Sequence, residues 1–424
     1  MLIVDAIAAS LGNAEHDAVT QPNDAVAVRG LGRATKPVLQ LNQFPTTLDT
    51  EIYKDALSGS NPNGTEASLF AFRQLVDPVP TFSRSYSPSA NSTEDVYETL
   101  LTGASIDGES EFAAGVLSEA KDRFQSGTFA YLDGTPKVWR PVYAVPEDWY
   151  AAGDRFKSLK IDLDTLGSAD SPFGIIGGDE SLELRLGGDL VRNRLSSETK
   201  LYSIQMEYLL VGFRRPWLNP MLFDASDWFL SGQDAGFCSS GSMSKNDGVL
   251  PLIPTGLLLG RSVDVSADWS KADAALVKGA ESAGKAVFLG PFMLSAPNGA
   301  SSTLQVIGWT SNLVPFSPKI TKKLAGSILV DNSGAFIARF SVEWNEGGDR
   351  HSQKSGNFPV LASKEIGIPV NGTKIVVKID IMTSPWPFET WKTVATFQLD
   401  KPVVKKYALS GVTGNPIIQE TSQG

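Results

Sequence analysis

Two prolines bracketing a tryptophan, Pro385-Trp386-Pro387, break a β-patterned stretch near the end of the chain and constrain it more than any other feature. Ile375-Val376-Val377-Lys378-Ile379 precedes them and Ala395-Thr396-Phe397-Gln398-Leu399 follows. Proline has no backbone N–H and a fixed φ, so the segment Met382 to Val394 has to leave the sheet ladder as a loop. That loop carries Trp386, Phe388 and Trp391. Large aromatic rings on a loop either fold back onto the sheet or project outward to an interface, where amphipathic rings are favoured.

The 424 residues are too many for one ordinary domain, and 42% hydrophobic with 20% charged residues is a globular composition. The net charge of −10 argues against nucleic acid as a partner. It is unevenly spread. Residues 326–424 hold ten Lys/Arg against nine Asp/Glu, so the acidity sits in the preceding part. A near-neutral module of this kind is not repelled by an anionic surface. The single Cys238 excludes an internal disulfide. No apolar run reaches the length of a membrane-spanning helix. The N-terminal Met1 to Ala18 lacks a basic leader region and places Ile3, Val4, Ile7 and Leu11 on one helical face, so it reads as a helix rather than a Sec signal. The expectation is a chain without a Sec-type signal, released or extracellular.

Helical spacing appears over Thr65–Val76, from Ser92 to Gly103, and along Phe112, Val116, Ala120 and Phe124. From Lys137 the pattern turns to short runs separated by Gly, Pro, Asn and Asp. Strands are expected at 181–186, 201–213, 256–265, 287–292 and 303–309, with one helix at 271–282. Val314-Pro315-Phe316-Ser317-Pro318 marks a boundary. The fold class is therefore α+β, mainly β. It divides into a helix-containing region at 1–135, a β-rich middle at 136–320 and a β-sandwich at 326–424.

Catalytic and cofactor chemistry finds no support. His16 and His351 stand in solvated surroundings, too few for an imidazole metal site. Ser242-Met243-Ser244-Lys245 has S-x-x-K spacing but runs into the turn Asn246-Asp247-Gly248 instead of a helix, and Lys354-Ser355-Gly356 falls within the sandwich. Gly279 to Lys285 has phosphate-loop spacing, but Ala286 stands where the metal-binding hydroxyl belongs, and helix precedes strand. Asp162, Asp164 and Asp170, and Asp179, Glu180 and Glu183, do not fit a calcium loop. The clusters around Trp139-Arg140 and Arg214-Arg215-Pro216-Trp217 are assigned to structure. No catalytic residue, metal ligand or cofactor is nominated.

From Ser333 onward, an ordered set of segments resembles the C-terminal β-sandwich of the cholesterol-dependent, thiol-activated cytolysins. Ser333-Gly334-Ala335-Phe336-Ile337-Ala338-Arg339-Phe340 is similar to its "EGAYVAQF", and Val342-Glu343-Trp344-Asn345-Glu346 to its "ITWDE". Ile368-Pro369-Val370 follows, as in "IPL". The segment Met382 to Val394 then aligns without a gap on the tryptophan-rich "ECTGLAWEWWRTV", and Gly411 to Pro416 aligns on "GTTLYP". The chain departs from the family at Thr383, which replaces the loop cysteine, and keeps only the last loop tryptophan, as Trp391. The threonine–leucine pair tied to sterol recognition becomes Thr413-Gly414. The resemblance implies the sandwich fold and an interaction role for Trp386, Phe388, Trp391, Thr413 and Gly414, without implying sterol specificity.

Together these features describe a non-enzymatic, surface- or membrane-attaching protein acting as a homo-oligomer. Its partner is a membrane lipid or a surface glycan or protein. A structural subunit of a self-assembling particle or filament, with the sandwich displayed, is the alternative. Alternating stretches in the body, such as Leu182-Glu183-Leu184-Arg185-Leu186, are short, so attachment without efficient lysis is expected.

Overall fold

A computed structural model describes residues 3–18, 36–107, 110–132, 134–135, 137–151, 153–163, 173–176, 183–187, 192–230, 232–295, 303–321, 324–346, 348–384 and 390–421. Contacts gather the chain into two units, each drawn from three stretches: 1–93, 142–215 and 241–314 form one, and 94–141, 216–240 and 315–424 the other.

The first unit is built on a seven-stranded sheet of β1 (Val38–Thr47), β2 (Ser85–Tyr86), β3 (Tyr143–Val145), β4 (Lys157–Asp162), β5 (Lys200–Arg214), β6 (Leu252–Asp268) and β7 (Gln305–Leu313). Its order is β2-β1-β7-β6-β5-β3, with β4 also paired to β5, and only β1–β2 is parallel. β7 is buried along its whole length, so Gln305, Thr310, Ser311 and Asn312 sit among Val306, Ile307 and Trp309. Gly308 lets β1 approach closely, because a Cβ there would run into the Gln40 carbonyl. The helix Ile3–Ala18 packs Val4, Ile7 and Leu11 into the core shared with Leu39, Ile161, Met206, Tyr208 and Ile307.

β5 and β6 run 15 and 17 residues; β5 stays close to the expected 201–213, whereas β6 extends well beyond the expected 256–265. A bulge bends the pair where Ser262 takes φ 53°, and the Glu207 carboxylate accepts from Arg261 Nε at 2.8 Å beside it. The β4–β5 and β6–β7 connections leave the sheet at one end. They combine into a small sheet of Arg192–Arg194, Glu183–Leu186, Val287–Leu289 and Phe292–Ser295, covered by the helix Lys271–Ser282. The expected strand at 181–186 is described from Glu183 on; Ser181 and Leu182 lie outside the described residues.

Helices stand where capping chemistry places them. Thr65 Oγ1 accepts from the Ser68 N–H ahead of Glu66–Val76, Ser110 Oγ from Ala113 ahead of Glu111–Gln125, and Ser270 Oγ from Asp273 ahead of Lys271–Ser282. In the second unit the aromatic clusters form a core in which Trp139, Trp217 and Trp228 are buried. Arg140 lies 3.4 Å above the Phe124 ring and 3.0 Å from buried Glu94.

The sandwich of the second unit consists of β8 (Leu324–Asn332), β9 (Ala338–Glu346), β10 (Asp349–Lys354), β11 (Ala362–Pro369), β12 (Thr373–Ser384), β13 (Thr390–Leu399), β14 (Val404–Val412) and β15 (Asn415–Thr421). One sheet has the order β11-β8-β14-β15 and the other β10-β9-β12-β13. Strict alternation in Ala338-Phe340-Val342-Trp344 and Ile375-Val377-Ile379-Ile381 turns these side chains into one core with Ile328, Val330, Tyr407 and Leu409. His351 is not solvated as its sequence context implied. It is half-buried, stacked on Trp344, with Nδ1 3.0 Å from Ser105 Oγ.

Candidate functional site

Strand register brings four of the sandwich's connections together at one end. β8 runs parallel to β14, so Asn332 lies beside Leu409 and both strands finish together. β9 starts at Ala338 opposite Ile381, near the end of β12. The linking segment 333–337 thereby bridges the sheets: the Ala335 N–H donates to the Gly411 carbonyl at 2.9 Å, and the Ile337 carbonyl accepts from Met382 at 2.9 Å. A fourth segment, between β10 and β11, closes the group where the Leu361 N–H donates to the Asn332 carbonyl at 2.6 Å.

Buried Asn332 organises this end. Its Nδ2 donates to the Phe336 carbonyl at 2.8 Å, and its Oδ1 accepts from the Gly334 N–H at 3.1 Å. Gly334 has to be glycine, since a Cβ would enter the Phe336 ring that plugs the core. With Phe336 turned inward, Ile337 is turned out and 37% exposed. Val412, just before the Thr413-Gly414 turn, is 57% exposed. Val360 and Leu361 complete an aliphatic crown, and Leu361 is 89% exposed at φ 64°.

Of the residues nominated from the sequence, Thr413 and Gly414 form the β14–β15 turn at this end, Thr413 half-buried and Gly414 exposed. The ladder does not end at Met382 as expected but runs on to Ser384 and Thr390, so Trp391 lies on β13 opposite Met382, half-buried under the Arg339 guanidinium at 4.0 Å. Arg339 is held in turn by Asp380 at 3.1 Å, and Asp380 accepts from Thr393 at 2.8 Å. Trp386 and Phe388 lie outside the described residues. The neck of their loop is tied by a 2.8 Å contact between the Thr383 and Thr390 hydroxyls. Ile337, Val360, Leu361 and Val412 were not singled out from the sequence. Pro359-Val360-Leu361, an apolar run just after Gly356-Asn357, was the available signal.

Ordinary site chemistry is lacking among the described residues. No group of His, Cys, Asp or Glu is placed to hold a metal ion. Burial pushes the Cys238 thiol up to about 12, far from thiolate reactivity. Lys245 is paired with Asp247 at 2.9 Å and sits on no helix. At the crown, hydrogen bonds from Lys406 and Ser363 hold the Asp331 carboxyl below its ordinary value.

A sandwich that gathers four of its connections at one end tipped with exposed aliphatic side chains is a recognisable architecture. Residues 327–417 match the model of the thiol-activated cytolysin beta sandwich domain. That domain covers the strands from within β8 into β15, including every element of the crown. Among solved structures, the membrane-binding domain of pneumolysin is 22% identical, covering 23% of this chain and 97% of that one with a TM-score of 0.20. Listeriolysin O is 16% identical, covering 53% of this chain and 48% of its own at 0.20. A non-hemolytic pneumolysin from Streptococcus pneumoniae is 16% identical, covering 54% and 60% at 0.19. The chain thus spans about half to three fifths of the length of these two toxins. No curated protein sequence matches it. Among the described residues no helix is long and apolar enough to cross a membrane, which leaves strands untouched.

Proposed function

We infer that this protein attaches to a membrane surface through the crown of its cytolysin-type sandwich. The observation that carries the inference is Leu361. A leucine held at φ 64° with 89% of its surface in water serves neither the backbone nor the core. Strain of this kind is retained where the surroundings impose it and a function uses it. Ile337, Val360 and Val412 extend the same apolar surface, and the sequence adds Trp386 and Phe388 in the neighbouring loop.

Full burial of a large apolar side chain contributes about 1.5–3 kcal/mol. Several partly exposed aliphatics therefore give only weak attachment by one copy, and useful affinity calls for several copies acting together. The test is co-sedimentation of the full chain with lipid vesicles. Replacing Trp386 and Phe388 by alanine is expected to weaken binding with little change in melting temperature. A loss of many degrees would mean that these rings are core, and the loop would leave the proposed interface.

A second activity has its own observation. β5 and β6 exceed the roughly 9–11 residues a strand needs to cross a bilayer. Their connections leave from one end and are held in a small sheet of their own. Insertion as a barrel would require that small sheet to unpair. Dye release from vesicles separates the two activities: binding without release leaves attachment alone.

A further inference from the structure

Behind the aliphatic crown stands a collar of lysines. Lys354, ending β10, faces Ser341, and Ser341 faces Lys378 on β12, so both lysines occupy one cross-strand row. Lys392 is paired with Ile381 beside the neck of the 385–389 loop. Lys364 on β11 is two residues from Ala362, where the strand leaves the crown. All four are exposed, and none is in an ion pair among the described residues.

The nearby carboxylates are mostly engaged. Asp331 is held by Lys406 at 2.7 Å and Asp380 by Arg339 at 3.1 Å. Against the four lysines stands exposed Glu365 on β11. The end of the sandwich is thus apolar at its extremity and cationic just behind it, on a chain whose net charge is −10.

We propose that this end docks on an anionic lipid bilayer. The crown enters the boundary between headgroups and acyl chains, and Lys354, Lys364, Lys378 and Lys392 meet acidic headgroups. The proposal rests on the attachment function above and adds the class of lipid. Its physical basis is charge complementarity. Weak apolar insertion needs a second attraction to become stable, and basic residues near an anionic leaflet supply it. Lysine stems lie along apolar surface while the ammonium reaches the headgroups. A zwitterionic or sterol-containing neutral surface offers these ammonium groups no net counter-charge.

The test uses the full chain and vesicles of phosphatidylcholine alone, with phosphatidylserine, or with cholesterol, each at low and near-physiological salt. Phosphatidylserine is expected to raise partition, and salt to lower it. Each Lys→Gln substitution should weaken partition on phosphatidylserine vesicles about fivefold. The quadruple variant should bind them no better than phosphatidylcholine, with an unchanged thermal melt because all four side chains are exposed. Equal partition on neutral and anionic vesicles, enhancement by cholesterol alone, or lysine variants that bind like the parent would each overturn the lipid class. Attachment would survive those results provided Val412→Asp still weakened binding. No partition onto any vesicle overturns both.

Discussion

Replacing Leu361 by asparagine is expected to make the sandwich more stable and its attachment weaker. An L-residue in the left-handed region costs about 1–2 kcal/mol, and asparagine tolerates that region better than leucine. The backbone cannot relax out of it, because the Leu361 N–H is bound to the carbonyl of buried Asn332 at 2.6 Å. Little packing is lost, since 89% of the leucine is already in water. A net gain of about 0.5–1 kcal/mol follows, which for a domain of this size is a rise of about 2–6 °C in Tm. On the vesicle the same change forfeits most of a buried leucine, about 1.5–2.5 kcal/mol, or roughly ten- to seventy-fold in partition. Thermal melts and vesicle co-sedimentation of parent and Leu361→Asn proteins read the two effects independently. A lower Tm would show that the leucine packs in solution, and unchanged partition would remove it from the interface. Either result refutes the argument.

Three further outcomes are expected. Arg140→Met takes the guanidinium away from the buried Glu94 carboxylate and should cost about 3–5 kcal/mol, with Glu94→Gln in the same chain recovering part of it; a melt close to the parent's would show the pair to be dispensable. Asp331 has its carboxyl pKa lowered by Lys406 and Ser363, so its contribution is present above the ordinary carboxylate range and disappears as pH falls through the depressed folded value; the Tm difference between parent and Lys406→Met should accordingly be present at neutral pH and vanish once pH has fallen through that depressed value. Gly308→Ala should force β1 away from β7 at a cost of about 1–3 kcal/mol, seen as faster amide exchange in 38–41; unchanged exchange there would mean that the two strands can adjust around a methyl group.

Local chemistry was enough to place most elements. Caps at Thr65, Ser110 and Ser270 act within one turn, so their helices are legible without knowledge of anything distant. Alternation in 338–344 and 375–381 likewise identifies strands with one buried face, and an ordered run of short segments in the last quarter of the chain carries the resemblance to the cytolysin sandwich. Pairing partners and exposure depend on residues far away in sequence, and there the sequence is silent. The length of β6 beyond the expected 256–265 comes from its register with β5, which carries strand geometry through the Ser262 bend. Trp391 was expected on a loop but stands on β13 opposite Met382, and only the meeting of β9 with β12 and β13 puts Arg339 over its ring. The crown is the clearest case. Asn332, Leu361, Met382 and Gly411 become neighbours only when a parallel β8–β14 pair and an antiparallel β9–β12 pair finish at one end, and an exposed leucine acquires meaning from that convergence alone.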